Sequence, residues 1–415
     1  MGAPLKRSAD RRHLTEHLEE LARLADTAGA EVVGEVTQML DRPSPATYLG
    51  KGKLEELRHR VADLSATLVI FDDELSPTQG KNIELELGTR VMDRAEVILD
   101  IFATRARTSE AKMQVELAQL EYMLPRLARM WTHLEKTRGG IGLRGPGETQ
   151  IETDRRLIRH RIKTLRERLE DVRRSREVQR AGRRDVFKAS LVGYTNAGKS
   201  SIMRALASAS DVFVEDRLFA TLDPLTREVN LGDHTSALVT DTVGFIRKLP
   251  HDLVASFRAT LEEASDADLL LHVIDASHPV WEEQAEVVND VLAELEMAEK
   301  PVLHVFNKID RLEAGALHTL QEGVREAMGE AIFVSALAED GLDPLRRALL
   351  GAVRAKRPVV EVEISVTDGR LLAELHRSAH VIDQTQRDGV MVLRARLDDA
   401  TAGRLRGKGA RIRTG

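Results

Sequence analysis

The chain of 415 residues has no cysteine, which excludes disulfides and any thiolate-ligated metal site. No stretch approaches the ~18 uninterrupted apolar residues that a membrane-spanning helix needs. The opening segment, Met1 to Glu20, is charged and lacks the apolar core of a secretory signal. Together these absences lead to the expectation of a soluble, cytoplasmic protein. The length suggests about three domains. A formal net charge of −6 argues, as an average, against a nucleic-acid binder. The distribution of charge says otherwise. Between Arg155 and Arg184 lie thirteen basic and four acidic residues, an excess of nine positive charges. Much of the compensating acid comes later, for example Glu282, Glu283, Glu286 and Asp290.

What is present is a set of phosphate-binding signals in a fixed order. Gly193-Tyr194-Thr195-Asn196-Ala197-Gly198-Lys199-Ser200 follows the apolar run Ala189 to Val192. This is the G-x-x-x-x-G-K-[ST] loop at a strand end, where backbone N–H groups can turn inward on phosphate oxygens. Lys199 is expected to reach the β/γ-phosphates and Ser200 to ligate Mg²⁺, ahead of a helix running to about Ala209. Asp241-Thr242-Val243-Gly244 follows a second apolar strand. Asp241 is the expected Mg²⁺ partner, and the Gly244 N–H the γ-phosphate sensor. Between them lies Phe219-Ala220-Thr221-Leu222-Asp223-Pro224. Thr221 is the expected Mg²⁺-sensing hydroxyl of a switch segment, with Thr226 the alternative, more in keeping with the start of a strand over Thr226–Leu231. Lys199, Thr221 and Gly244 are thus the candidates to act on the reacting phosphate. Ser200, Thr221 and Asp241 are the candidate metal ligands.

Asn307-Lys308-Ile309-Asp310, after the apolar run Val302–Phe306, selects the base. A buried carboxylate at Asp310 can pair with guanine N1–H and the 2-amine, whereas adenine would leave it unpaired. Ser335-Ala336-Leu337 fits the short loop that backs the base, with leucine where lysine is commoner. These motifs specify a GTPase domain. After Asp241–Gly244 stands Phe245, where many GTPases carry a glutamine that orients water. Hydrolysis by the isolated chain is therefore expected to be slow unless a partner, or another side chain, supplies positioning or charge.

The expected fold is α/β: a P-loop GTPase domain (186–355), preceded by a small α/β domain (1–105) with a long antiparallel helical hairpin (106–185), and followed by a small α+β domain (356–415). The first domain reads as helices over Asp10–Ala28, Lys53–Leu64 and from Ser76-Pro77, with strands over Glu31–Gln38, Thr67–Phe71 and Arg90–Met92. In the hairpin, Met113, Leu117, Leu120, Leu124, Leu127, Trp131 and Leu134 step by four and three, and Ile158, Ile162, Leu165, Leu169 and Val172 repeat the stepping. Pro125 should kink the first helix, and Trp131 reads as a seam residue. The connecting segment 136–150 is glycine-rich, carries Arg138 and Arg144, and has no preceding strand to make it a second nucleotide loop. A helix of ~25 residues spans ~37 Å, so the loop would tip a basic rod suited to a phosphate-lined cavity. The C-terminal segment reads as strand Val359–Val366, helix Gly369–Ala379, strand Val390–Leu397 and a basic tail, Arg404–Arg413.

The switch motifs with Phe245 resemble the translation-factor-related GTPases that lack the catalytic glutamine. Four further stretches narrow the resemblance: Tyr48–Lys53, Asp93–Arg107, Gln114–Leu127 and Gly139–Arg156, the last with Arg-Gly-Pro-Gly-Glu-Thr-Gln at 144–150. Together they are similar to the HflX family of ribosome-associated GTPases over nearly the whole chain, least distinctively after about residue 355. The resemblance implies binding to the large ribosomal subunit through the basic hairpin Arg155–Arg184, with the tip Gly139–Gly147 approaching the peptidyl-transferase region. It also implies separation of idle or stalled ribosomes into subunits under stress, and ribosome-stimulated GTP hydrolysis that serves release. In some members it implies ATP use by the N-terminal region, for which these residues show no adenine-specific motif. Gly50–Lys53 is too short for a phosphate loop and reads as a structural or RNA-facing turn. An RNA-binding assembly GTPase that splits nothing, and a signalling switch without RNA, remain the alternatives. A monomer is expected.

Overall fold

The computed structural model describes residues 1–6, 12–127, 146–180, 186–207, 218–232, 235–249, 264–387, 389–397 and 399–414. Trp131, most of the glycine-rich tip, the end of the basic run (Arg183, Arg184) and residues 250–260 lie outside them.

The N-terminal unit packs α1 (Leu14–Thr27), α2 (Lys51–Asp63), α3 (Pro77–Leu87) and α4 (Arg94–Arg105) around two parallel strands, β1 (Leu68–Phe71) and β2 (Arg90–Asp93). Local chemistry explains α3. Ser76 and Gln79 form a reciprocal capping box, Pro77 opens the first turn, and Gly88 closes the helix at φ +66°. Gly50 is the N-cap of α2, so Gly50–Lys53 starts a helix. The strand expected over Glu31–Gln38 is not formed as such. Val36 to Leu40 instead runs beside Gly2 to Lys6 through isolated backbone bonds, Gly2 N–H to Val36 O and Lys6 N–H to Leu40 O among them. Val32 and Val33 stay exposed. Pairing partners, not β-branched composition, set where a strand forms. Helix α4 was not legible as an amphipathic pattern because Val97, Ile98, Leu99, Ile101 and Phe102 are all buried. So wide an apolar arc is covered from two sides, leaving only the strip of Asp100, Ala103 and Thr104 exposed, and α4 shares a core with Val192, Phe219 and Phe245 of the next unit.

The hairpin is α5 (Ser109–Met123) against α6 (Pro146–Arg180). Leu117, Ile162 and Leu165 form its buried seam, flanked by Met113, Leu120, Leu124, Ile158 and Leu169. Pro125 lies in a 3₁₀ turn, Leu124–Arg126, that ends α5. At 35 residues, α6 spans about 52 Å at ~1.5 Å per residue. Part of its positive charge is spent internally. Arg161 forks onto Glu116 at 2.6 and 2.8 Å, and Arg166 reaches Glu121 at 2.6 Å. Arg155, Arg156 and Arg159 have no ion-pair partner among the described residues.

The GTPase domain is a six-stranded sheet in the order β4-β5-β3-β6-β7-β8: β3 (Lys188–Gly193), β4 (Leu225–Asn230), β5 (Ser236–Asp241), β6 (Leu269–Asp275), β7 (Val302–Asn307) and β8 (Ala331–Phe333). All pairs are parallel except β4 with β5. Helices α7 (Lys199–Ala207), α8 (Trp281–Glu294), α9 (Ala314–Met328) and α10 (Asp343–Lys356) belong to this domain. The order reverses at β3, so the crevice for a ligand opens at the carboxyl ends of the strands beside it.

After the GTPase domain come β9 (Val359–Ser365), α11 (Gly369–Ser378), β10 (His380–Arg387), β11 (Val390–Arg396), α12 (Asp399–Gly407) and β12 (Arg411–Thr414). Their antiparallel order, β10-β11-β9-β12, is that of a split β-α-β unit. The sequence reading missed β10 and α12, and read β12 as part of a basic tail. Ile412 pairs with buried Val362 and draws the arginines on either side into a strand.

In the GTPase core, His272 of β6 lies 5.4 Å from the ring of His304 of β7. Burial, with His304 and Lys199 nearby, pushes the His272 pKa down to about 3. The folded form therefore stays neutral while the unfolded chain takes up a proton below its ordinary value near 6.5. This contribution to stability is fully present above pH ~6.5 and is lost as pH falls toward 3. Lowering pH from 7.5 to 5.5 should cost about 1.4 kcal/mol through this residue. Denaturant unfolding at the two pH values should show that loss, and His272→Phe should reduce it.

Candidate nucleotide site

The four sequence motifs converge at the carboxyl ends of β3, β5, β7 and β8. A pocket of about 410 Å³ is lined by Thr195, Asn196, Gly198, Lys199, Ser200, Phe219, Ala220, Thr221, Thr242 and Gly244. Gly198 has φ +96°, and a Cβ there would fall 2.2 Å from Asn307 Nδ2. At Gly244 a Cβ would meet Thr195 Cα at 2.7 Å. Both positions therefore need glycine to let the loops close on one another. Phe245 and the P-loop are tied by two backbone bonds, Thr195 N–H to Phe245 O (2.6 Å) and Phe245 N–H to Gly193 O (3.1 Å). The Phe245 ring is buried in the core shared with α4, remote from any role in ordering water by hydrogen bonds.

Lys199 Nζ donates to Gly193 O at 3.0 Å and Tyr194 O at 2.8 Å. Burial lowers its pKa to about 8, with Asp241 opposing. An anion in the pocket supplies the charge that burial withholds. Ser200 Oγ donates to Asp241 Oδ2 at 2.7 Å, and Thr221 Oγ1 to the same oxygen at 3.0 Å. Thr226 lies in β4, bonded to Thr240. Burial raises the Asp241 pKa, and its Oδ1 is buried with no hydrogen-bond partner among the described residues. Two hydroxyls and a carboxylate with a spare buried oxygen fit a hard cation such as Mg²⁺, which takes few protein ligands and completes its shell with phosphate and water.

On the base side, Asn307 Nδ2 donates to Ala197 O (3.0 Å), and its Oδ1 accepts from Ala336 N–H (3.2 Å). Lys308 has φ +65° and bonds Asn196 O (2.8 Å) and Asp275 (2.7 Å). Ser335 Oγ holds Asp310 Oδ1, and Ile309 N–H reaches Val334 O. Leu337 is 79% exposed. Not every motif residue faces the pocket. Leu222 and Val243 are core residues. Asp223, expected among the nucleotide contacts, instead accepts from Arg107 N–H (3.0 Å), Thr108 N–H (3.4 Å) and the Thr108 hydroxyl. The short β4 connection turns its carboxylate toward the first turn of α5, where Thr108 is the N-cap. Asp223→Ala should lower stability by about 1–2 kcal/mol, seen in thermal unfolding, with GDP affinity in fluorescence titration changed less than about threefold.

Sequence reasoning missed a buried polar cluster beside the P-loop. Tyr194 Oη is bonded to Glu20 and accepts from Arg247 N–H (2.8 Å). Glu20 also holds Arg94. Asp72 Oδ1 accepts from Arg94 (2.8 Å), and its Oδ2 from Arg247 (2.9 Å) and Lys248 (3.0 Å). Burial alone would raise the Asp72 pKa, but the charges of Arg94, Arg247 and Lys248 hold it far below the usual carboxylate range. The adjacent acids Asp72-Asp73 ending a buried strand, and Arg247-Lys248 after Phe245, were the available signals. Neither says that they meet.

A doubly wound sheet with a phosphate loop, an Asp-x-x-Gly loop and an Asn-Lys-x-Asp loop at one edge defines a P-loop GTPase. Residues 188–308 match the family described as 50S ribosome-binding GTPase, residues 15–103 that of the GTP-binding GTPase N-terminal region, and residues 105–183 that of the GTP-binding GTPase middle region. The chain is 49% identical over 397 residues to the GTPase HflX of Magnetococcus marinus, covering 94% of this chain and 90% of that one. It is 44% identical over 385 residues to the GTPase HflX of Escherichia coli, covering 92% and 90%. A GTP-binding protein from Sulfolobus solfataricus in complex with GDP is 26% identical, with 85% of this chain and 98% of that chain covered and a TM-score of 0.44. The chain belongs to the HflX GTPase family.

Proposed function

We propose that this GTPase binds the large ribosomal subunit and separates ribosomes into subunits, with hydrolysis stimulated by the ribosome and serving release. The observation that carries the reading is the contact of the nucleotide-sensing segment with the root of the basic hairpin. Thr221 lies at the Ser200–Asp241 pair, and two residues on Asp223 accepts from Arg107 and from Thr108, the N-cap from which α5 starts. Phe102 packs edge-on against Phe219 at 4.7 Å, joining the same segment to α4. A change at the γ-phosphate that moves residues 219–223 therefore acts on the hairpin base.

In the GTP-bound state the P-loop amides and Lys199 cradle the phosphates, the Gly244 N–H meets the γ-phosphate, and Asp310 pairs with the guanine edge. Ser200, Thr221 and Asp241 would hold Mg²⁺, which would offset the negative charge of the phosphates. Phe245 orders no water, so the free chain turns over slowly. The arginines toward the tip end of α6, half-buried Arg155 and exposed Arg156 and Arg159, meet ribosomal RNA phosphates. A cytoplasmic monomer, acting when ribosomes stall under stress, is consistent with these features. Among the described residues, no helix is long and apolar enough to cross a membrane.

The reading is tested by light scattering of intact ribosomes mixed with the chain and a non-hydrolysable GTP analogue. A fall in scattering to the level of free subunits supports it. Binding with unchanged scattering points to an assembly factor. GTP turnover that is fast alone and indifferent to large subunits sinks the role given to Phe245.

A further inference from the structure

Arg247 stands two residues beyond Phe245, where the switch loop enters the buried polar cluster. Its side chain is 8% exposed, and one nitrogen, Nη2, is bonded to Asp72. Its Nε and Nη1 are buried with no hydrogen-bond partner among the described residues. Buried donors left unmade are costly, so they call for an explanation. Arg247 lines a cleft of about 650 Å³ between α1, α8 and the P-loop, together with Thr195 and Asn196. Those two residues also line the phosphate pocket. The guanidinium thus waits on the other side of the same two P-loop residues, in a chain whose water-positioning glutamine is replaced by a buried ring.

Its anchor makes departure inexpensive. Asp72 belongs to the N-terminal unit, and without Arg247 it keeps Arg94 on Oδ1 and Lys248 on Oδ2. Arg247 would exchange one carboxylate oxygen for phosphate oxygens that can accept its idle donors. The backbone stays pinned by Tyr194 Oη, so only the side chain needs to swing.

We propose that Arg247 is a stored catalytic arginine, held on Asp72 until partner binding shifts the N-terminal unit, and then turned to the γ-phosphate to supply in cis the charge that the glutamine-less loop lacks. This rests on the GTPase reading above. The reaction balances without a proton from Arg247. The water oxygen bonds to the γ-phosphorus as the bond to the β–γ bridging oxygen breaks, GDP leaves with the electron pair, and the water proton passes to phosphate and solvent. Arg247 only donates hydrogen bonds to the γ-oxygens as their charge redistributes.

The test uses the full chain with and without purified large ribosomal subunits, reading kcat and KM for GTP separately. Arginines supplied to GTPases raise kcat about 10³–10⁵-fold. Arg247→Ala should lower the stimulated kcat at least about 10²-fold, with GDP affinity and thermal unfolding close to wild type, and Arg247→Lys should restore part of it. Asp72→Asn should raise the subunit-free kcat about tenfold or more, a gain that vanishes in the Asp72→Asn, Arg247→Ala double variant. A purely structural clamp predicts the opposite sign: Arg247→Ala as fast as wild type or faster, and a gain in Asp72→Asn that survives the double change. Either result overturns the proposal. Should Asp72→Asn fold poorly, the two Arg247 variants decide by themselves. A wild-type chain that hydrolyses no GTP under any condition would defeat the GTPase reading, whereas an active wild type matched by Arg247→Ala defeats this inference alone.

Discussion

Asp310→Asn is expected to lower GTP affinity about 10²–10⁴-fold and to shift preference toward xanthosine triphosphate. The carboxylate can accept two hydrogen bonds from guanine, N1–H and the 2-amine. Charged hydrogen bonds contribute about 1.5–3 kcal/mol each, and two of them at ~1.4 kcal/mol per decade span that range. An asparagine amide would place a donor where the 2-amine also donates, so the loss includes repulsion as well as absence. Xanthine carries a carbonyl at that position, which an amide donor suits. The local frame should survive the change, because Ser335 Oγ can still donate to an amide oxygen and Asn307 holds Ala197 and Ala336 independently. Titration with fluorescent GDP and xanthosine diphosphate measures the exchange. Equal loss for both nucleotides would mean that the loop had collapsed and that Asp310 is not the discriminating group.

The second large effect concerns the hairpin. Reversing Arg155, Arg156 and Arg159 to glutamate should weaken binding to large ribosomal subunits by about 10³-fold near 0.15 M salt, at roughly 1–2 kcal/mol per reversed phosphate contact. The dependence of log K on log salt should flatten by about 2–3 units, since each phosphate contact contributes roughly 0.7–0.9 to that slope. Nucleotide affinity should be unchanged, because these residues lie on α6 and none lines the nucleotide pocket. The choice of residues follows from the packing. Arg161 and Arg166 are committed to Glu116 and Glu121 across the hairpin, so reversing them would disturb the rod itself. Sedimentation with subunits at several salt concentrations checks both numbers. Unaltered binding would remove the hairpin from the interface.

Most of the nucleotide site was legible in the sequence because it is local. Gly193–Ser200, Asp241–Gly244 and Asn307–Asp310 are short segments whose backbone geometry and side-chain chemistry need only a strand before them. Helix α3 was legible for the same reason, its box and proline lying within four residues of each other. Heptad stepping likewise gave the seam of Leu117, Ile162 and Leu165. Elements defined by distant neighbours were not legible. Helix α4 buries Val97, Ile98, Leu99, Ile101 and Phe102 because two domains cover most of its circumference, and β12 exists because Ile412 finds Val362.

By itself, then, the sequence determined the nucleotide, the absence of a water-ordering glutamine and the presence of a basic rod, since each is a property of residue type at short spacing. Tertiary structure alone decided what these parts touch. Asp223 turned from the phosphates to the root of the hairpin, two arginines of the rod were consumed by Glu116 and Glu121, and Arg247 came to rest on Asp72, 175 residues away in the chain. A buried charge must find a partner wherever the fold offers one, and no spacing rule reaches across that distance.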